Sequence, residues 1–301
     1  MYEFRTESSR FFTDGTHWHS WEWKPRSDKD PIQVLAPFRE SDAPFGSGNF
    51  LMFPWVNRHA STELSFNGKP FTFPGIQRDE SGFPVHGLVH SLERKPIKIR
   101  PDGKGGEFRV IFPEEWRDSP ISAIAIREEY FIEETSSGIL LSLKTRFNNM
   151  KADSIRFAYG YHPYFSLGGH RDDWRLFLHL DKNLELDDKL VPIQPGISNS
   201  IDSVIQDGKL SSLDHLFYGK DPRVVLENSK LKYSISVISP PPEEGQIALN
   251  YYQIYTKPDF SSIAIEPCSA PGNALVSGQG LSELKGYSEI WGECRILARV
   301  L

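Results

Sequence analysis

Ile121-Ser-Ala-Ile-Ala-Ile-Arg-Glu-Glu-Tyr-Phe-Ile-Glu-Glu134, then Thr135-Ser-Ser137, then Gly138-Ile-Leu-Leu-Ser-Leu-Lys-Thr-Arg-Phe-Asn148 is the stretch on which the fold turns. Two long segments of alternating polarity flank three small polar residues. A period of two belongs to a strand that buries one face, not to a helix. The β-branched and aromatic residues suit a pleated surface. The stretch therefore predicts two long neighbouring strands and a short turn. The same punctuation runs outward in both directions. Ser61–Phe66 and Lys69–Phe73 flank Asn67-Gly68, a strong hairpin signal. Ile155–Phe165, Trp174–Leu180, Arg223–Glu227, Lys232–Ser239, Tyr251–Thr256, Ser262–Pro267 and Glu289–Val300 continue the pattern. Helical periodicity is nearly absent, and there is no βαβ rhythm. The expectation is an all-β chain folded as a large antiparallel β-sandwich. No linker or repeat divides it, so residues 1–301 are expected to form a single domain. Asp181–Gly208 is the most irregular part.

Composition narrows the function. The chain has 301 residues, 39% apolar and 25% charged, with a net charge of −6. That apolar fraction is too high for a disordered chain. Mild acidity without a Lys/Arg run argues against nucleic acid or an anionic membrane as partner. The N-terminus carries charges from its third residue and no apolar core, unlike a secretory signal. No run approaches the roughly 18 apolar residues of a transmembrane helix. Cys268 and Cys294 lack metal or redox spacing and read as reduced thiols. A soluble cytoplasmic protein, monomeric or a weak homodimer, is expected.

Three segments carry candidate chemistry. In Tyr159-Gly-Tyr-His-Pro-Tyr-Phe165, strand alternation puts His162 on a face with Gly160 and Ala158. Phe157, Tyr159 and Tyr161 take the other side. A His above two small residues leaves room over the sheet, although a His that merely caps a strand end fits this segment as well. Ser261-Ser-Ile-Ala-Ile-Glu-Pro267 repeats the design, with Glu266 beside Ala264 and Ser262 and with Ile263 and Ile265 opposite. Burying that carboxylate is costly unless it is paired or functional; an edge-strand Glu facing water is the plainer alternative. In Phe83-Pro-Val-His-Gly-Leu-Val-His90, His86 and His90 stand four apart, half of a zinc site if helical. Pro84, Gly87 and the Val/Leu alternation read as strand instead, and no third ligand is near in sequence. No metal is therefore expected. His86 reads as a polar group lining a pocket and His90 as a strand-end surface residue. No P-loop, GxSxG or dinucleotide fingerprint is present.

Taken in order, Pro54-Trp-Val-Asn-Arg58, Val85-His-Gly87, Tyr161-His-Pro-Tyr-Phe165, Leu213-Asp-His215 and Ile265-Glu-Pro267 resemble the motifs of the aldose 1-epimerase (galactose mutarotase) family. The resemblance runs from about Leu51 to the C-terminus. It implies a galactose-mutarotase-like supersandwich that binds a sugar on one sheet. It implies His162 as the general acid toward the ring oxygen and Glu266 as the base toward the anomeric hydroxyl. Arg58, His86 and Asp214 match residues that hold sugar hydroxyls, and Gln253, in Tyr251-Tyr-Gln-Ile-Tyr-Thr256, matches a further contact.

The chemistry agrees with that assignment. Exchanging anomers requires removing the O1 proton while protonating O5, turning C1 about C1–C2, and reclosing the ring. One carboxylate and one imidazolium suffice, without cofactor or metal. The partner is then a small-molecule sugar. A hexose 6-phosphate would need a basic cluster, for which Arg39, Arg58 and Arg78 are the candidates. A non-catalytic carbohydrate-binding or sensing protein would not need both His162 and Glu266. A glycosidase would need paired carboxylates. Glu266 near His162 is expected to lift the imidazole's pKa, against the effect of burial.

Overall fold

Alternation along Ile124–Glu134 and Gly138–Asn149 is carried through in the computed structural model: every second side chain is buried and its neighbours are half-exposed. The two strands pair antiparallel from Ile124↔Asn149 to Glu134↔Ile139. Residues 1–25, 30–42, 44–61, 63–66, 69–73, 75–193, 198–205 and 207–301 are described. Among them, this hairpin lies within a 9-stranded sheet. Its path runs Trp174–His179, Arg223–Asn228, Tyr233–Ile238, Glu289–Val300, Gly138–Asn149, Ile124–Glu134, Gly105–Val110 and Arg94–Ile99. Gln246–Ile247 pairs in parallel beside Glu289–Val300.

A second sheet, of 8 strands, runs Ser198–Asn199, Lys182–Leu184, Asp214–Tyr218, Tyr251–Thr256, Ser262–Cys268, Gly160–Tyr161 and Leu51–Met52, with Tyr164–Ser166 also against Ser262–Cys268. The inward residues of both sheets share one apolar core. Ile126, Leu141, Leu143, Val237 and Ile296 meet Phe157, Tyr159, Tyr161, Tyr252, Ile254, Ile263 and Ile265 there. This is the sandwich the alternation predicts. The other side of the second sheet holds a smaller cluster of Phe50, Met52, Ala158, Leu216 and Cys268. Ser262–Cys268 is buried at every residue, so this sheet is covered on both faces. Tyr2–Arg5, Ser9–Thr13, Trp18–Trp23 and Ile32–Gln33 form a further 4-stranded sheet.

Four expectations need correction. The Ile121–Glu134 strand starts at Ile124, because Pro120 opens a 3-10 turn over Pro120–Ala123. Ile155–Phe165 is three short strands, Ile155–Phe157, Gly160–Tyr161 and Tyr164–Ser166. Its backbone changes partners: Ile155–Phe157 pairs Ser282–Leu284, and Tyr159 N–H donates to Ser269 Oγ instead of continuing a ladder. Phe83–His90 is not a strand. His86 and Gly87 have φ of 59° and 75°, a left-handed pair that alternation cannot reveal. His90 is only 7% exposed, packed on Phe45, and is not a surface residue. The Leu64–Phe66 and Lys69–Phe71 strands do pair, while Asn67 and Gly68 lie outside the described residues.

Candidate active site

Sheet order explains why residues distant in sequence converge. Asp214, Gln253 and Glu266 lie on three successive strands, and the next strand, Gly160–Tyr161, leads directly into His162. Gln253 is the cross-strand partner of Glu266. On the other side of Glu266, Gly160 pairs with Cys268 and Tyr164 with Ala264. That register sets His162 directly opposite Glu266, where side chains on one face must meet. His162 Nε2 lies 3.2 Å from Glu266 Oε1.

The interruption of the ladder between those pairs suits its prolines. Pro163 and Pro267 have no N–H to offer, and Ile265 N–H donates to Pro163 O at 3.3 Å. His162 N–H donates to Asn49 Oδ1 at 3.0 Å and Phe50 O at 3.2 Å, so the backbone beneath the imidazole is fixed. Phe50 and Tyr164 stack on the ring, with centroids at 4.8 and 4.9 Å. Gly160 is required beside it, since a Cβ there would come within 2.7 Å of Cys268 Sγ.

Arg58 and His86 arrive on loops that flank Leu51–Met52. Arg58 bridges to Val85 and Phe53 to Gly87. His86 N–H donates to Asn57 O at 2.9 Å and Leu88 N–H to Phe53 O at 2.7 Å, which holds the left-handed turn. The His86 ring stands edge-on to His162, centroids 5.0 Å apart, with Nδ1 3.2 Å from Met52 Sδ. Arg58 Nε donates to Asp79 Oδ2 at 2.9 Å. Gln253 Nε2 donates to Asp214 Oδ1 at 2.6 Å.

All six residues singled out in the sequence line one cleft of about 430 Å³. Asp42, Phe45, Arg78, Asp79, Tyr164 and Tyr255 complete much of its wall. Sequence reasoning missed Asp79 and Phe45, which belong to loops without period. Asn57 and Tyr164 stood inside quoted motifs, and their neighbourhood was the available signal. Of the three arginines considered for a phosphate, Arg39 is not in the wall, Arg58 is held by Asp79, and Arg78 donates to Gly82 O. His90 is not in the wall either.

Burial dominates the electrostatics. It pushes Glu266 well above the usual carboxylate range; the Asp214 charge adds to this and Arg58 opposes it. It pushes His162 down to about 3, so the expected upward shift from the neighbouring carboxylate does not prevail. His86 is lowered first by burial and then by its neighbours His162, His90 and Arg58. Burial raises Asp214, against Arg58 and the Gln253 amide. His162 and Glu266 are thus both held toward neutrality, and the neutral pair differs from the ion pair only by one proton moved across the contact. Glu266 Oε2 and Gln253 Oε1 are buried without a partner, two acceptors awaiting donors. The arrangement sets an imidazole and a carboxyl side by side, amid groups able to hydrogen-bond a hydroxyl.

A family model described as Aldose 1-epimerase matches residues 4–266. No curated protein matches the chain at a significant level. Among solved structures, the Slr1438 protein from Synechocystis sp. PCC 6803 is 18% identical, covering 100% of this chain and 96% of its own, with a TM-score of 0.76. The GalM/aldose epimerase homologue from C. elegans is 14% identical, covering 100% of this chain and 98% of its own, with a TM-score of 0.75. Galactose 1-epimerase from Lactobacillus acidophilus NCFM is 12% identical, covering 99% of this chain and 93% of its own, with a TM-score of 0.69. At such identities the likeness establishes the fold, which is galactose mutarotase-like.

Proposed function

This chain belongs to the aldose 1-epimerase family, and on that premise we propose that it interconverts the α and β anomers of a free hexose. The observation that carries the proposal is the opposed His162–Glu266 pair, 3.2 Å apart in a cleft walled by Arg58, His86, Asp214 and Gln253. The sugar enters between the two groups and replaces their contact. Glu266, as carboxylate, takes the proton from O1. His162, as imidazolium, gives one to O5, and the ring opens. Rotation about C1–C2 presents the other face of the aldehyde, and the two transfers reverse. The proton that moves between the neutral pair and the ion pair is the one the reaction uses, so the site needs no outside acid. Each such group typically contributes about 10²- to 10⁴-fold.

A neutral sugar suits this cleft better than a phosphorylated one. Asp42, Asp79, Asp214 and Glu266 line it, and Arg58 is already engaged by Asp79. The test is polarimetry of freshly dissolved α-D-glucose and α-D-galactose with the purified protein. The expected result is a decay of rotation faster than the spontaneous one for at least one sugar. Saturable sugar binding without acceleration would instead favour a non-catalytic sugar-binding protein.

A further inference from the structure

We propose that His86, His162 and Glu266 form a divalent transition-metal site, best matched to zinc, and that metal and sugar exclude each other from the cleft. One donor atom from each residue lies within 4.8 Å of the others, so the wider-set His86 must shift toward the pair for all three to bind one ion. His162 Nε2 and Glu266 Oε1, at 3.2 Å, are spaced close to two ligands about 2.0–2.1 Å from one tetrahedral zinc. His162 is locked between Phe50 and Tyr164, so that pair is preorganised. Nδ1 of His86 rests on Met52 Sδ, which leaves its Nε2 for the cleft.

An independent observation points to a ligand. Glu266, 2% exposed, has a buried Oε2 with no partner, and so has Nδ1 of His162. Glu266 is buried on an apolar strand, where Asp214 opposes its ionisation and Arg58, already engaged by Asp79, favours it. A dication would add a further charge for it to ionise against. Binding replaces the Glu266 O–H bond with an O–metal bond and releases one proton to solvent. The Nδ1 of His162 has no carbonyl or carboxylate to orient it, so affinity is expected to fall short of a fully supported site by about 10- to 100-fold. The remaining coordination position opens into the cleft, where O1 and O5 of the sugar are proposed to sit. A bound metal would also occupy both proton-transfer groups. This makes it an inhibitor rather than a cofactor. The exclusion of sugar rests on the proposed function; metal binding does not.

Another histidine group is the natural control. His19 Nε2 lies 2.9 Å from Asp14 Oδ2, with His17 Nδ1 at 3.8 Å, and these residues take no part in the group of His86, His162 and Glu266.

The experiment titrates Co²⁺ alone into chelator-treated protein and reads its visible d–d absorption, then displaces it with Zn²⁺. One equivalent is expected to bind. His86→Asn and Glu266→Gln should each weaken binding at least tenfold, and His19→Asn should leave it unchanged. Galactose should weaken Co²⁺ binding. Absence of saturable binding, wild-type titration by His86→Asn, or loss in His19→Asn would overturn the site. Metal binding indifferent to sugar would overturn the exclusion. A protein that binds Co²⁺ through these residues yet accelerates no mutarotation would keep the site and refute the epimerase reading.

Discussion

Glu266 sits on a strand buried at every residue, and Asp214 and Arg58 pull its ionisation in opposite directions. Its raised pKa has a consequence for stability. A carboxyl raised on folding contributes stability that is present below its unfolded value, about 4.3, and lost as pH rises through the folded one. His162, lowered to about 3, contributes stability present above about 6.5 and lost as pH falls toward 3. The two contributions slope in opposite senses, so stability declines toward acid through His162 and toward alkali through Glu266. Glu266→Gln removes the alkaline decline. Its urea midpoint should gain on the wild type as pH rises above about 4.3; parallel curves would show that Glu266 titrates as an exposed acid. On the proposed function, Arg58 belongs to binding rather than to proton transfer. A guanidinium on a neutral hydroxyl serves ground state and transition state alike, so Arg58→Ala should mainly raise KM in steady-state kinetics. A larger loss in kcat would give it a part in the chemistry. That these six residues belong together was legible through short motifs in order, and they do line one cleft. That His162 directly opposes Glu266 was not, since the register depends on pairings that no single segment encodes.

Long strands with one buried face were the most readable elements. Glu289–Val300 falls where alternation puts it, because it has partners along its whole length; Tyr251–Thr256 also falls at its expected bounds, although it is short and buried on both faces. Ile155–Phe165 has the same alternation but divides its pairing among different strands, and pairing leaves no mark on polarity. The face assignment nevertheless holds: Phe157, Tyr159 and Tyr161 enter the shared core, and Ala158 joins the cleft-side cluster. Phe83–His90 was misread for a different reason. A left-handed His86 is made by the carbonyls that clamp the loop, not by its own sequence. At this scale Gly160 is the sensitive position. An alanine there would push on Cys268 Sγ at 2.7 Å and Pro267 O at 2.8 Å, spreading the two strands that oppose His162 and Glu266. Gly160→Ala should cost about 1–3 kcal/mol in urea unfolding and also lower kcat more than tenfold. Gly168→Ala, with open space around its would-be Cβ, is the control and should change neither. Full activity in Gly160→Ala would mean the strand separation does not govern the site.

Taken as a whole molecule, the chain devotes one sheet to the core alone and lends the other to both core and cleft. Composition and alternation were enough for that class, because a chain of this length with so little helical period has few ways to bury its apolar faces. The residues that finish the cleft come from loops, where the sequence has no period to read. We propose that residues 1–301 fold as a single unit, since residues from Phe4 to Ala298 share one core cluster. Calorimetry should then give one cooperative transition with equal calorimetric and van't Hoff enthalpies; two resolved transitions would divide the chain. Among the described residues no helix is long and apolar enough to cross a membrane. The central claim is that this fold opposes one acid and one base across a sugar. The most direct measurement is two-dimensional exchange NMR of the anomeric protons of glucose and galactose at equilibrium, with catalytic amounts of the wild type, His162→Ala and Glu266→Gln. The expected result is α–β exchange driven by the wild type for at least one sugar and slowed by about 10² or more in each folded variant; exchange at the wild-type rate with either variant would contradict it.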